Sequence, residues 1–356
     1  MIMQSGMDQN KTQSVALRVA VIGASIGGLS VANVLHRLGA YVQVLESFPY
    51  GFQERGGALG AVDAGLLARI RGENRAMQTR SIRSHGHFYG DLWRYLFEGL
   101  LENSVRFGFD VTEIRDPLSN EPQVMINGEN HAFDLVIGAD GGKSTIRTHV
   151  TNKVPEYAGY TVWRGLVPTA GIAGPPSGSR TVRGIRYETL GFPFTNGRGE
   201  QVWNCGIYMM MPESEVAAPS RNRQVVTTDA NGVPEWFLPV VSALFGARNA
   251  KFWEACTTQG NVNSHPVWEF SADTVVNNRI ALLGDAAHMA SPRTGAGAYT
   301  AMVDAVSLGA AVQRTSNIDD ALRLYNDDTV SRGRDLFQKS RRAATYFAPP
   351  GVTPLS

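Results

Sequence analysis

Gly23-Ala24-Ser25-Ile26-Gly27-Gly28 is the first segment of this chain whose spacing carries chemistry. A loop that takes the pyrophosphate of a dinucleotide wants glycine at its first, third and sixth positions. The first gives a tight turn, the third close approach of the phosphates, and the sixth packing of helix on strand. Gly23 and Gly28 meet the outer requirements, and Ser25 stands at the middle position. Glu46, 18 residues after Gly28, closes an apolar run where a carboxylate can accept the hydroxyls of a ribose diol. Far along the chain, Gly284-Asp285-Ala286-Ala287-His288, Pro292 and Gly295-Ala296-Gly297 follow another apolar run. An aspartate at a strand end holds a polyol, and a glycine-rich turn aims helix N–H groups at an anion. Asp140-Gly141-Gly142-Lys143-Ser144-Thr145-Ile146-Arg147, taken alone, is an Asp-Gly turn with a helix cap. A bare glycine match means little in a chain with 38 glycines, so the elements around these residues decide their weight.

Those elements are readable. Leu17 to Ile22 is a short apolar run ending in glycine, the pattern of a buried parallel strand. Leu29 to Leu38 has helical spacing, with Gly39 where a helix cap belongs, and Tyr41 to Leu45 is a second strand ending at Glu46. Strand, tight turn, helix and strand make a βαβ unit that supports dinucleotide binding; the bland alternative is a structural turn with a solvated Glu46. Gly51 to Gly60 reads as a loop, Leu92 to Leu101 as an amphipathic helix, Phe133 to Gly138 as a strand. From Tyr157 to about Phe270 the composition favours antiparallel β structure with loops. Arg279 to Leu283 returns to a buried strand and Ala296 to Val312 to a helix.

Composition bounds the class. Of the 356 residues 43% are apolar and 18% charged, enough for a sizeable core and too little charge for a disordered chain. That length predicts two packed lobes or one large α/β unit. A net charge of +1 argues against nucleic acid or an anionic membrane as partner. Cys205 and Cys256 cannot make a disulfide framework, and no metal cluster is expected. No apolar run approaches the roughly 20 residues of a membrane helix, and Met1 to Val15 lacks a secretory signal, so a cytoplasmic protein is expected.

Fingerprint, Glu46, Asp140-Gly141 and Gly284-Asp285, in that order, resemble the FAD-dependent aromatic monooxygenases of the para-hydroxybenzoate hydroxylase fold. The resemblance runs from Val19 to about Leu324 and is strongest over Gly284 to Asp304. Tyr157 to Gly165, with the serine inside the first glycine loop, looks particularly like the 2,6-dihydroxypyridine hydroxylase branch. The resemblance implies an α/β fold: a discontinuous Rossmann-like FAD-binding domain over 16–150 and 272–345 and an inserted antiparallel β-rich substrate domain over 151–271, with tails at 1–15 and 346–356. It implies FAD as cofactor and NAD(P)H as co-substrate, with a small aromatic or heteroaromatic molecule hydroxylated by O2, and it is compatible with a homodimer.

By the same resemblance Gly23, Ser25, Ile26 and Gly28 meet the pyrophosphate, Glu46 with neighbouring Ser47 the adenosine ribose, and Gly57 and Ala58 the flavin side of the next loop. Arg94 matches a helical arginine that reaches FAD; as a bland alternative it is a solvated helix residue. Asp140 belongs to the cofactor set, Asp285 holds the ribitol, and Pro292, Gly295, Ala296, Gly297 and Ala298 face the flavin ring. Helix-end potential there favours the negative charge of reduced flavin. Arg164, Tyr187 and Tyr208 are the candidates for catalysis and substrate contact; the tyrosines are equally at home as half-buried strand residues. His288 is read as a cap of its turn.

Three departures qualify the resemblance. The stretch between Gly60 and Trp93 is short where a β-hairpin normally contributes to the substrate lobe, Gly295 to Tyr299 lacks two polar side chains of the usual pattern, and Ser25 adds a side chain at the close-approach position. A flavin-retaining cyclase or rearrangement enzyme without net redox, and a non-catalytic FAD-binding protein, therefore stay open.

Overall fold

A computed structural model describes residues 17–52, 57–60, 62–72, 86–195, 199–215, 226–227, 233–259 and 261–347. Its helices are α1 (Ile26–Arg37), α2 (Ala64–Arg71), α3 (Tyr89–Phe97), α4 (Phe237–Phe245), α5 (Ala247–Gln259), α6 (Gly297–Arg314) and α7 (Ile318–Phe347). Of the short stretch between Gly60 and Trp93 expected to thin the substrate lobe, residues 61 and 73–85 lie outside the described residues.

A six-stranded sheet runs in the order Val276–Asn277, Ile280–Leu282, Leu135–Gly138, Arg18–Ile22, Tyr41–Glu46, Val105–Phe107, and all its pairs are parallel except the first. The inner strands are buried on both faces, which is why they read as unbroken apolar runs rather than as alternating ones. In register, Ile22 stands opposite both Leu45 and Gly138, and Gly138 opposite Leu282. The carboxyl ends of these strands therefore align, and the segments that leave them begin with Gly23, Ser47, Ala139 and Leu283. In an open parallel sheet that edge is where a ligand binds.

The second sheet is antiparallel, in the order Gly178–Val182, Ile185–Thr195, Gln201–Met210, Glu156–Pro168, Asn261–Ser271, Val226–Thr227. Its last long strand also pairs with His288–Met289, tying the β-rich region to the first sheet's loops. Alternation gives this sheet two distinct faces. One carries Trp163, Tyr187, Cys205 and Ile207 into a core with Phe237, Val241, Phe252 and Trp253 of α4 and α5. The other carries Tyr160, Val162 and Tyr208 against Phe347 at the end of α7.

Several element boundaries differ from the sequence expectation. Residues 58–60, expected in a loop, form a short strand paired with Gly86–Phe88. The helix expected over Leu92 to Leu101 is α3 and ends at Phe97. The β-rich stretch contains α4 and α5, whose apolar residues face a sheet rather than a partner strand. Phe347, assigned to a tail starting at 346, is only 1% exposed, because α7 carries it into the core under Tyr160 and Tyr208.

Candidate cofactor groove and ring-binding face

The first glycine loop is built by close packing. Gly23 has φ +106°, and a Cβ there would lie 2.4 Å from the Ala139 carbonyl oxygen. A Cβ on Gly28 would stand 1.9 Å from the Gly23 carbonyl oxygen, so α1 leaves its strand at a distance only glycine permits. Ile26 is the first residue of α1 and is buried. Ser25 occupies the N-cap position, yet its side chain makes no cap hydrogen bond. Its Oγ lies 2.7 Å from the Tyr89 hydroxyl instead. A serine cap normally accepts from an N–H of the first turn. Here it leaves that role undone, and the helix N-terminus keeps donors and positive potential for an anion.

Glu46 is 5% exposed at the end of its strand. It accepts from the Ala24 N–H at 2.7 Å and from the Phe48 N–H at 2.9 Å. Ser47, which is exposed, donates to the same carboxylate at 3.2 Å. These bonds hold the carboxylate in one pose beside the loop and leave it lone pairs for a diol.

Asp140 lies on the same sheet edge, but it is spent on its own turn. It accepts from Ser144 Oγ at 2.5 Å and from the Thr145 N–H at 2.8 Å. Arg147 is the keystone that sequence reasoning passed over, although it closes the Asp140–Arg147 motif. Buried, it donates from Nε to the Ala286 carbonyl at 2.8 Å, from Nη2 to the Asp285 carbonyl at 2.8 Å and from Nη1 to the Gly142 carbonyl at 3.0 Å. One guanidinium thus fastens the Asp140 turn to the Asp285 turn.

Asp285 opens onto the start of α6: a Cβ on Gly297 would stand 3.8 Å from its Oδ1. Pro292 begins a short 3-10 turn that Gly295 closes at φ +62°, Ala296 caps α6, and Gly297 and Ala298 are its first residues. Behind this turn, Asp304 is fully buried. It accepts from Arg332 Nε at 2.9 Å and the Gly284 N–H at 3.1 Å, and it pairs with His288 Nε2 at 2.7 Å. Burial opposes charge on both partners, but the His288 ring, Arg332 and the Gly284 N–H hold the Asp304 carboxyl below its usual range. Asp304 in turn holds the imidazole above its ordinary value against the same burial. His288 therefore does more than cap a turn: it belongs to a buried ionic pin beneath the Gly284–Asp285 motif.

Across the groove, a Cβ on Gly60 would meet the Gly295 carbonyl oxygen at 2.4 Å, and one on Gly57, at φ +140°, would lie 3.8 Å from Arg164 Nη1. Gly57, Ala58 and the strand they open thus lie between the Gly295 turn and the antiparallel sheet. Arg164 and Tyr208 share the sheet face turned to this region, with Gly206 opposite Arg164 and Tyr208 opposite Val162. Burial pushes the Tyr208 phenol up from its ordinary value, while Arg164 and Arg293 pull it down and Glu188 adds to the rise. Arg293 pairs with Glu188 and lies over the ring of Tyr346, 4.2 Å away. Tyr187 is not brought to this group: one residue from Glu188, it points through the sheet into the core against α4 and α5. Arg94 follows Trp93 on α3; it is 43% exposed and lies 3.5 Å from Asp91. Tyr89 and Trp93, a turn apart on the same helix, contact the glycine loop. The Trp93 ring N–H donates to the Ala24 carbonyl at 2.7 Å.

The family model described as FAD binding domain matches residues 103–340. The chain belongs to that FAD-binding family. The groove fits the cofactor: an uncapped helix N-terminus, a pinned carboxylate beside it and a glycine cradle meet the phosphate, diol and flat-ring requirements of FAD. Among similar proteins, an FAD-dependent urate hydroxylase of Klebsiella pneumoniae subsp. pneumoniae is 28% identical, with 92% of this chain and 89% of the relative covered. A 3-amino-4-hydroxybenzoate 2-monooxygenase of Streptomyces cremeus is 27% identical, covering 94% of this chain and 88% of its own. The solved 2,6-dihydroxypyridine-3-hydroxylase of Arthrobacter nicotinovorans matches with TM-score 0.77 at 20% identity over 96% of this chain and 95% of its own, a likeness of fold. A Klebsiella pneumoniae protein solved with FAD and uric acid matches with TM-score 0.71 at 26% identity over 94% of this chain and 90% of its own. The fold expected from the sequence, a Rossmann-like FAD-binding part with an antiparallel β-rich part, is the one these proteins share. No helix among the described residues is long and apolar enough to cross a membrane.

Proposed function

We propose that this protein is an FAD-dependent monooxygenase that hydroxylates a small, acidic aromatic or heteroaromatic ring with NAD(P)H and O2. The observation that carries the reading is the meeting of two surfaces. The Ala58–Gly60 strand packs against the Gly295 turn, and a Cβ on Gly57 just before it would lie 3.8 Å from Arg164 Nη1, so a ring bound by Arg164 lies next to the cofactor groove. Bound FAD supplies reducing equivalents and oxygen activation; the remaining tasks fall to this chain.

In this reading the 23–28 loop and the N–H groups of α1 take the pyrophosphate, and Glu46 with Ser47 the ribose. Asp285 takes the ribitol, and 292–298 with Gly57 and Ala58 the flavin ring. Asp140 contributes through its turn rather than by contact. The N-terminus of α6 offers positive potential to the negative charge of the reduced ring. Arg164 pairs with the ionised group of the substrate, and Tyr208, with its raised phenol, stays protonated and donates to a ring oxygen or nitrogen. Ionisation of the substrate enriches its ring in electrons, which hydroxylation requires. Urate, an acidic heteroaromatic ring, is the substrate named for one similar hydroxylase. A cytoplasmic location, where NAD(P)H is supplied, and a homodimer that shields the short 60–93 segment complete the proposal, with 16–150 and 272–345 as the cofactor domain and 151–271 as the substrate domain.

The test is denaturation of purified protein with chromatography of the released flavin, then NAD(P)H oxidation with and without acidic ring compounds. FAD and ring-stimulated oxidation support the reading. FMN, or a protein that ignores added FAD, contradicts it.

A further inference from the structure

We propose that Glu188 is a specificity-determining residue: its carboxylate, latched by Arg293, accepts a hydrogen bond from an N–H or O–H group on the substrate ring. The inference rests on the function reading above and deepens it, since the ring must then carry a donor group as well as an acidic one.

The fold presents this carboxylate to the ring-binding face. Glu188 stands opposite Tyr208 in register, so both side chains leave the same side of the antiparallel sheet. Along its strand Ile185, Tyr187 and Thr189 are buried, while Arg186, Glu188 and Leu190 are half-buried, so the second set lines the groove and the first the core. Arg293 comes from the turn Pro292–Thr294 that leads into α6, and it pairs with one carboxylate oxygen, Oε2. Its guanidinium lies 4.2 Å from the Tyr346 ring and 5.1 Å from the Phe347 ring, and Phe347 stacks on Tyr208 at 5.2 Å. Among the described residues no hydrogen bond reaches the second oxygen, Oε1, on a side chain that is only 21% exposed.

Charge and span fit a ring with two unlike edges. A lone carboxylate would repel an acidic substrate; here Arg293 cancels it, and Arg164 answers the charge of the substrate. The strand Gln201–Met210 lies between the strands of Arg164 and Glu188, so two strand spacings, roughly 10 Å, separate their backbones. Gly206, opposite both Arg164 and Leu190, is the floor of that span, where a Cβ would find nothing nearer than 3.8 Å. A mono- or bicyclic ring lying over Gly206 turns its ionised edge to Arg164 and its donor edge to Glu188. A carboxylate that accepts from a ring N–H or O–H also pushes electron density into the ring, which serves hydroxylation.

The test is titration of the FAD-loaded protein with ring compounds, followed by the change in flavin absorbance, for wild type and Glu188→Gln. The probes are acidic rings in matched pairs that differ by one donor: urate against its mono-N-methyl derivatives, and 4-hydroxybenzoate against 4-methoxybenzoate. Glutamine keeps the shape, but with its amide oxygen on Arg293 it turns an NH2 donor to the ring. The quantity read is the affinity ratio within a pair, which cancels any general change in charge or fold. In the wild type, losing the donor that faces Glu188 is expected to cost about tenfold, and in Glu188→Gln that ratio falls to about one. Ratios that are the same in both proteins for every pair overturn the proposal, whether the variant binds all probes normally or all of them more weakly. A wild-type protein that binds no acidic ring overturns the function reading together with this one.

Discussion

Arg147 donates to the Asp285 carbonyl at 2.8 Å, so the side chain that ends one glycine motif fixes the backbone of another 138 residues further on. The guanidinium is buried and its partners are carbonyl oxygens, a use that needs a planar, many-donor cation rather than a point charge. Arg147→Lys keeps the charge and loses the fork. The expected result is a loss of about 3 kcal/mol in stability, seen in urea unfolding, together with weaker FAD binding. Wild-type stability in this variant would show that the two turns hold their places independently.

Asp304 gives a second prediction, of pH dependence. Its carboxyl is held below the usual range in the folded chain, so its contribution is present above the unfolded value near pH 4 and is lost as pH falls below it. His288 is held above its ordinary value, so its contribution is full below about pH 6.5 and is lost as pH rises through the folded value. Asp304→Asn is expected to cost about 3–5 kcal/mol near neutrality, the cost of breaking a buried pair, and to flatten both flanks of the melting-temperature profile. Unchanged flanks would place the titrating groups elsewhere.

Asp285→Ala is expected to weaken FAD binding by tenfold or more, about 1.5–3 kcal/mol, through loss of a charge-assisted hydrogen bond. Glu213→Ala is the control, since Glu213 is exposed. Equal affinities by flavin titration in the two variants would refute the ribitol contact.

The two tyrosines separate the faces of the antiparallel sheet. Tyr208→Phe removes a hydroxyl from the face shared with Arg164 and is expected to raise KM or lower kcat at least several-fold with a ring substrate. Tyr187→Phe, on the face packed against α4 and α5, is expected to leave both constants near wild type. The reverse pattern in steady-state assays would put the ring on the wrong side of the sheet.

Much of the cofactor half was legible in the sequence because its elements are short, buried and punctuated by glycine. The strand ending at Ile22, the turn at Gly23–Gly28 and the strand ending at Glu46 are local patterns, and their physics is local too. Arg147 and Tyr89 escaped notice because their partners are distant: Ala286 for the first, Ser25 for the second. On α3 the sequence drew attention to the cation Arg94, while the contacts of Tyr89 and Trp93 with the loop depend on partners far away in the chain. Tyr187 and Tyr208 looked alike as strand residues; only the register, with Glu188 opposite Tyr208, assigns them to opposite faces. The long helix α7 was hidden by its own composition, since its buried stripe includes Thr329, Gly333 and Ser340 rather than a run of large apolar residues.

In the proposed reaction this chain passes one oxygen atom from O2 to a ring held between Arg164 and the cofactor groove. The most direct measurement is mass spectrometry of the product formed from an acidic heteroaromatic compound, such as urate, under 18O2 with NAD(P)H and FAD-loaded protein. The expected result is a hydroxylated product carrying one 18O atom and no product under argon. Product that forms without O2 and NAD(P)H, or that takes its new oxygen from water, would contradict it and favour a flavin-retaining cyclase or rearrangement enzyme.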